Sequence, residues 1–135
     1  MMRWPRVAAC VVLAGLAGGA GGCSRQDARL EQQKKTFESL GETTAAITEA
    51  WLTGQVSGTY TRAALENTFQ LVEKERTALA KAPEALLDPR GEHLSQVAER
   101  LSRLLAAMML DVAAANGASA RQHVAEIPIR PAQQR

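Results

Sequence analysis

Few residues of this chain are of the kinds that usually carry out chemistry. The 135 residues include two histidines, two cysteines and five aromatic side chains. The sequence contains no HExxH, CxxC or CxxCH motif and no paired ExxH motifs, which excludes the common ligand sets of zinc, di-iron and c-type haem proteins. It also lacks a GxSxG motif and a glycine-rich phosphate loop. We therefore expect no enzyme active site, no cofactor and no metal.

The titratable side chains do not form catalytic or ligating pairs in the sequence either. Glu92 and His93 are adjacent, so on a helix their side chains point about 100° apart. Glu73 and Glu75 are two residues apart and cannot face each other on one helix. We expect both His93 and His123 to be surface residues.

The first residues have the composition of a secretory signal. Arg3 and Arg6 are followed by residues 7–22, which are apolar or small and carry no charge. This run is shorter than the ~20 apolar residues that cross a bilayer core. It also contains five glycines, each of which weakens a helix by about 1 kcal/mol relative to alanine. We expect a cleaved leader rather than a membrane span.

The end of this leader resembles the lipobox of a bacterial lipoprotein signal peptide, in the order Ala20-Gly21-Gly22-Cys23. The resemblance covers residues 1–24, and it departs from the usual pattern at Ala20, where leucine is more common. Ordinary signal cleavage after Ala20 is the alternative.

The resemblance implies where the mature chain is placed. Residues 1–22 would be removed, and Cys23 would become an acylated N-terminus joined to the fold by a linker at 23–29. Several acyl chains hold a protein on a membrane far more firmly than one chain does. Because Ser24 rather than aspartate follows the cysteine, the resemblance implies the outer membrane of the cell envelope, with the protein facing the periplasm.

Loss of the leader also sets the charge and thiol content of the mature chain. Two of the 16 basic residues leave with it, so 14 basic and 14 acidic residues remain. A balanced surface lacks the basic patch that nucleic-acid binding requires. Cys10 leaves with the leader and Cys23 is acylated, so no thiol remains for a disulfide. Packing must therefore provide the stability.

The remaining sequence predicts an all-α fold. Spacings of three and four between apolar residues indicate helices at 25–52, 61–82 and 89–116. We expect these helices to pack as an antiparallel three-helix bundle over residues 30–117. A short helix or an extended, flexible tail is expected at 118–135. The residues expected to face the core are Leu30, Phe37, Leu40, Thr44, Ile47, Trp51, Leu65, Phe69, Val72, Leu79, Leu94, Val97, Leu101, Leu104, Met108 and Val112.

Capping residues predict the helix ends. Thr61 is expected to be the N-cap of the second helix. Asp88, followed by Pro89 at the first helical position, is expected to open the third. Asn116-Gly117 is expected to end the third helix, because glycine suits the left-handed position after a helix.

One end of such a bundle is the candidate site. The end of the first helix, the start of the second and the end of the third would meet there, remote from Cys23. Their meeting would bring together Trp51, Tyr60, Met108 and Asp111, as a partner-docking patch or a small cavity. The alternative is that Trp51 and Tyr60 close the end of the bundle while Asp111 lies in solvent.

These observations favour a small envelope lipoprotein that is held on the membrane through Cys23 and binds another envelope protein. Its role would be that of an adaptor, an assembly factor or an accessory subunit. Self-association through an exposed apolar stripe is a further expectation. The alternative function is a ligand or metal carrier that uses the bundle interior, and an enzyme would need a partner to supply the missing catalytic groups.

Overall fold

A computed structural model of the chain describes residues 21–128, with side chains from residue 25 onward. Five helices pack together in this range: α1 (Gly21–Leu52), α2 (Gly58–Ala80), α3 (Pro83–Leu87), α4 (Pro89–Ala113) and α5 (Gly117–Ala125). Residues 21–128 contain no strand, so the predicted all-α fold is confirmed. None of these helices is long and apolar enough to cross a membrane. Most of the predicted leader (1–20) and the last part of the predicted tail (129–135) lie outside the described residues.

The second helix begins about one turn earlier than its sequence predicts. Its N-cap is Ser57, whose Oγ accepts a hydrogen bond from the backbone N of Tyr60 at 3.2 Å. Thr61, the predicted cap, is instead buried in the first turn, and its hydroxyl donates to the carbonyl oxygen of Ser57 at 2.8 Å. Capping by Ser57 thus frees Thr61 to pack in the core.

The start of α4 follows its prediction. Asp88 is the N-cap, with its Oδ1 accepting from the backbone N of Arg90 at 2.9 Å, and Pro89 occupies the first position. Helix α3 lies directly against this turn. A methyl group added at Gly91 would lie 1.8 Å from the carbonyl oxygen of Ala85, so only glycine fits the contact between the two helices.

The prediction for the end of this helix is wrong. Helix α4 ends at Ala113, and the residue in the left-handed region is Ala115, with φ of 52°. Asn116 caps the next helix, since its Oδ1 accepts from the backbone N of Ser119 at 3.1 Å, and Gly117 is the first residue of α5. The two residues therefore start a helix rather than ending one, because the asparagine side chain is a strong N-cap.

Contacts at opposite ends of α1 define the two ends of the molecule. At the end nearer Cys23, Nη2 of Arg90 lies 2.6 Å from Oδ1 of Asp27, which joins the starts of α4 and α1. We call this the proximal end. The opposite end, where the last turns of α1 and α4 meet the first turn of α2, is called the distal end. At 1.5 Å per residue, α1 is about 48 Å long.

The core follows the predicted stripes. All six predicted α4 residues are buried, and those of α1 and α2 are buried or partly buried. Threonine hydroxyls also lie inside, where each donates to a carbonyl oxygen one turn earlier, as Thr44 does to Leu40 at 2.7 Å. These local bonds satisfy the hydroxyl groups without a partner helix, so polar side chains enter the core at little cost.

Helix α5 belongs to this packed body. Ala120 and Val124 are buried on it, and Ile127 is buried just beyond it. The helix contacts both α1 and α4. The body therefore continues past residue 117, where the predicted bundle ended, because Ala120 and Val124 of α5 are buried against it.

Candidate functional site

Three helix ends meet at the distal end, as the sequence predicts. A methyl group added at Gly58 would lie 3.6 Å from Cγ1 of Val112 and 3.8 Å from Nε1 of Trp51. Trp51 is partly buried and packs against the core, whereas Tyr60 is 61% exposed. The structure therefore places both aromatic residues at this end, with Trp51 closing the core and Tyr60 on the outer surface.

Met108 does not belong to this surface. Its side chain is 0% exposed, and its Sδ lies 3.7 Å from the hydroxyl oxygen of Thr48 on α1. It lies on the apolar stripe of α4 and is fully buried in the core, in contact with α1. Its inclusion in the predicted docking patch is wrong, since no partner can reach the side chain while the fold is intact.

Asp111 is also buried rather than solvated. The residue is 8% exposed, and its Oδ2 lies 2.6 Å from Nδ1 of His123 on α5. His123 is only partly exposed, which corrects its interpretation as a plain surface histidine, while His93 is exposed as expected. The carboxylate is therefore committed to a contact between α4 and α5 and does not face a partner.

Sequence reasoning missed this histidine because twelve residues and a turn separate it from Asp111. Periodicity relates residues within one helix, so it carries no information on pairs in two helices. To predict the pair, one would first have to predict the turn at Ala115 that separates α4 from α5. Alanine does not usually mark a left-handed turn, so the sequence gives no such signal.

A second polar contact crosses between α2 and α4. The hydroxyl of Ser102 donates to Oε1 of Glu73 at 2.5 Å, and Nη1 of Arg76 lies 3.2 Å from the same oxygen. The serine hydrogen bond and the neighbouring guanidinium hold the pKa of the Glu73 carboxyl below its ordinary value, against the opposing effect of burial. Ser102 is 6% exposed, so a substrate cannot reach its hydroxyl. The contact ties two helices together.

Two more exposed apolar side chains extend the surface around the distal half. Leu110, on the last turns of α4, is 73% exposed, and Leu71, midway along α2, is 51% exposed. Neither was singled out from the sequence, because each falls outside the apolar stripe of its helix. A single exposed leucine outside the apolar stripe of its helix is common in proteins. Leu110, however, lies at the same end of the molecule as the exposed Tyr60.

An open groove of about 520 Å³ lies between α1 and the first turns of α4. Leu30 and Leu94 form its apolar floor, while Glu31, Lys34 and His93 are among its charged and polar walls. Across the described residues, no three His, Cys, Asp or Glu side chains are grouped as a metal site. The groove suits a small amphipathic molecule in size.

Comparisons with known proteins give no relative. No protein-family model, no curated protein and no solved structure matches this chain.

Proposed function

We propose that the protein is an envelope lipoprotein, held on the membrane by acyl chains at Cys23, that binds another envelope protein through its distal end. The lipobox-like segment before Cys23 supports the attachment. The helical body begins almost at once, since α1 runs from Gly21 to Leu52. Attachment at the start of α1 would hold the distal end tens of ångströms from the lipid surface.

The observation that carries the binding proposal is the exposure of Tyr60 and Leu110 at the distal end. Gly58 and Val112 contact each other at this end. Tyr60 and Leu110 each lie two residues from that contact, so their side chains point away from it and are exposed. Tyrosine provides a large apolar face with a polar tip, and such residues dominate the energetics of many interfaces. We infer that Trp51, Tyr60 and Leu110 form the docking surface.

The proposal takes α1, α2 and α4 as an antiparallel three-helix bundle, with α3 and α5 packed beside it. Its long helices would act as a stiff spacer, so their length would set the greatest distance of the docking surface from the membrane. A role as adaptor, assembly factor or accessory subunit needs this geometry and no reaction chemistry. A second copy of the chain is the other occupant we consider for the surface.

Photocrosslinking in bacterial cells that produce the full chain tests the surface. A crosslinking amino acid replaces Leu110, and adducts are compared with those from the same substitution at Glu66, an exposed charged position on α2. We expect a discrete adduct at position 110 that Tyr60→Ser abolishes and Leu71→Ser leaves intact. Identical adducts at 66 and 110, or an adduct insensitive to Tyr60→Ser, would contradict a distal docking surface.

Intact mass of the membrane-extracted protein tests the attachment separately. We expect a mature chain that begins at Cys23 and carries the added mass of acyl groups. A free thiol at this position, or cleavage after Ala20, would contradict the lipoprotein proposal. This measurement does not depend on any partner, so the two parts of the proposal can fail independently.

The groove beside α1 supports a second candidate function, that of a small-ligand or metal carrier. The bundle interior is filled by wholly buried side chains such as Phe37 and Leu65, so a ligand would have to use the open groove. Titration of the full mature protein with Zn²⁺, Cu²⁺ and haem tests it. Stoichiometric uptake that His93→Ala removes and His123→Ala retains would favour a carrier, and no uptake would contradict one.

A further inference from the structure

The proximal end carries an apolar side chain that is almost fully exposed. Leu87, the last residue of α3, is 87% exposed. Helix α3 lies against the first turns of α1, where Nε2 of Gln26 donates to the carbonyl oxygen of Glu84 at 3.2 Å. Gln26 follows Cys23 by three residues, which is about 4.5 Å along a helix. Leu87 therefore lies on a short helix that contacts α1 within one turn of Cys23.

Two arginines line a cleft at the same place. The cleft, of about 380 Å³, separates α1 from α3, with Arg25 and Arg29 on one side and Glu84 and Ala85 on the other. Arg25 and Arg29 are four residues apart, so they lie on one face of α1. Within the described part of the chain, neither guanidinium forms an ion pair. Both are therefore available to an anion outside the protein.

The charges around the cleft favour an anionic occupant. Arg25 and Arg29 are the two cations of its lining. Glu84 is the acidic residue of the cleft lining and opposes these charges. Asp27 and Asp88 lie nearby but do not line the cleft, and both contact Arg90, at 2.6 and 2.7 Å.

We propose that the proximal end docks on anionic phospholipids: Arg25 and Arg29 bind headgroup phosphates while Leu87 enters the apolar boundary of the bilayer. This inference rests on the proposed acylation of Cys23, which would hold the cleft and Leu87 at the lipid surface. Arginine binds phosphate through two parallel N–H donors. A cationic rim around an exposed apolar residue is the pattern of an interfacial membrane contact. Docking would fix the tilt of the helical body, and acyl chains alone leave that tilt free.

The experiment uses the acylated full mature protein in phospholipid vesicles. Cys10 is lost with the leader and Cys23 is acylated, so Leu87→Cys provides one free thiol for an environment-sensitive fluorophore. The matched control is Leu110→Cys, which places the same label on an exposed leucine at the distal end. In vesicles containing phosphatidylglycerol, we expect a blue shift and quenching by quencher-bearing lipids at position 87, and neither effect at position 110.

Replacement of both arginines by uncharged glutamine tests whether they bind headgroup phosphates. Arg25→Gln with Arg29→Gln removes two cations from the cleft, and Arg62→Gln with Arg121→Gln removes two exposed cations elsewhere. The Arg121 guanidinium lies near Gly117 and Leu52, at the distal end. We expect the first pair to lower the docked-to-undocked ratio about 30-fold at low salt, as two phosphate contacts at a membrane surface imply. The second pair should leave the ratio within about twofold.

The outcomes separate this inference from the proposed function. If the protein co-floats with the vesicles while the label at position 87 stays in water, the docking inference is contradicted. The proposed attachment through Cys23 is then unaffected. Equal signals at 87 and 110, or equal effects of the two arginine pairs, also overturn the docking inference. An unmodified Cys23 in the intact mass overturns the lipoprotein proposal and, because the docking rests on acylation, the docking with it.

Discussion

Nδ1 of His123 lies 2.6 Å from Oδ2 of Asp111, so a side-chain contact joins the end of α5 to the end of α4. The Asp111 side chain is 11% exposed and that of His123 is 25% exposed. The backbone of Asp111 also takes part, since its carbonyl oxygen accepts from the N–H of Asn116 at 2.8 Å. Asp111 therefore organises both the turn between the two helices and the position of α5.

Replacement of this histidine should destabilise the fold. In His123→Ala, the Asp111 carboxylate stays nearly buried without its partner, which costs about 1–3 kcal/mol of unfolding free energy. Urea denaturation at pH 7, followed by far-ultraviolet circular dichroism, measures the loss. His93→Ala is the matched control, because His93 is exposed and its removal should change stability by no more than about 0.5 kcal/mol. Equal effects of the two variants would show that the contact contributes nothing.

The Ser102–Glu73 contact predicts a dependence of stability on pH. The serine hydroxyl and Arg76 lower the pKa of Glu73 below its ordinary value of 4.5. A carboxyl whose pKa is lower in the folded state stabilises the fold fully above its unfolded pKa, and this contribution disappears as pH falls through the folded pKa. Ser102→Ala should therefore cost roughly 1 kcal/mol at pH 7, discounted because the Glu73 side chain is one-third exposed.

Unfolding of Ser102→Ala and the parent protein at a series of pH values measures this dependence. The difference between them should narrow steadily as pH falls below 4.5. Ser95→Ala, at a half-buried serine on the same helix, controls for the higher helix propensity of alanine. A Ser102→Ala difference that stays constant from pH 7 to pH 3 would contradict the role of the carboxylate.

The sequence predicts those parts of this fold that one helix determines by itself. The α4 stripe from Leu94 to Val112 is buried as expected because 3.6-residue periodicity places it on one face. Asp88 and Pro89 open α4 because capping chemistry is also local. At the other end of α4, Ala115 rather than glycine adopts the left-handed conformation, and the boundary prediction failed there.

The candidate site depended on contacts between helices and was therefore less predictable. Trp51 and Tyr60 lie at one end because a short connection joins the end of α1 at Leu52 to the start of α2 at Gly58. That connection did not determine exposure, so buried Met108 was grouped with exposed Tyr60. The same limit applies to Asp111, whose histidine partner lies on a helix that begins after an unrecognised turn.

Gly91 should not tolerate a side chain. Gly91→Ala would place its methyl group 1.8 Å from the carbonyl oxygen of Ala85, so α3 must move away from α4. We expect a loss of at least about 2 kcal/mol in unfolding free energy. Gly58→Ala is the control, because its methyl group would meet Val112 and Trp51 at ordinary contact distances of 3.6 and 3.8 Å. Similar denaturation midpoints for the two variants would show that α3 does not pack as described.

Two residues of the same helix test how the distal end divides into core and surface. Met108 is 0% exposed and Leu110 is 73% exposed, although both are large, apolar and two positions apart. Met108→Ala leaves a cavity beside Thr48 and should lower the unfolding free energy by about 2–5 kcal/mol. Leu110→Ala should change it by no more than about 0.5 kcal/mol, yet should weaken partner crosslinking if the distal surface docks a protein. Stability losses of equal size would mean that Leu110 is buried in the free protein. That result would contradict the docking proposal, in which a bound partner covers Leu110.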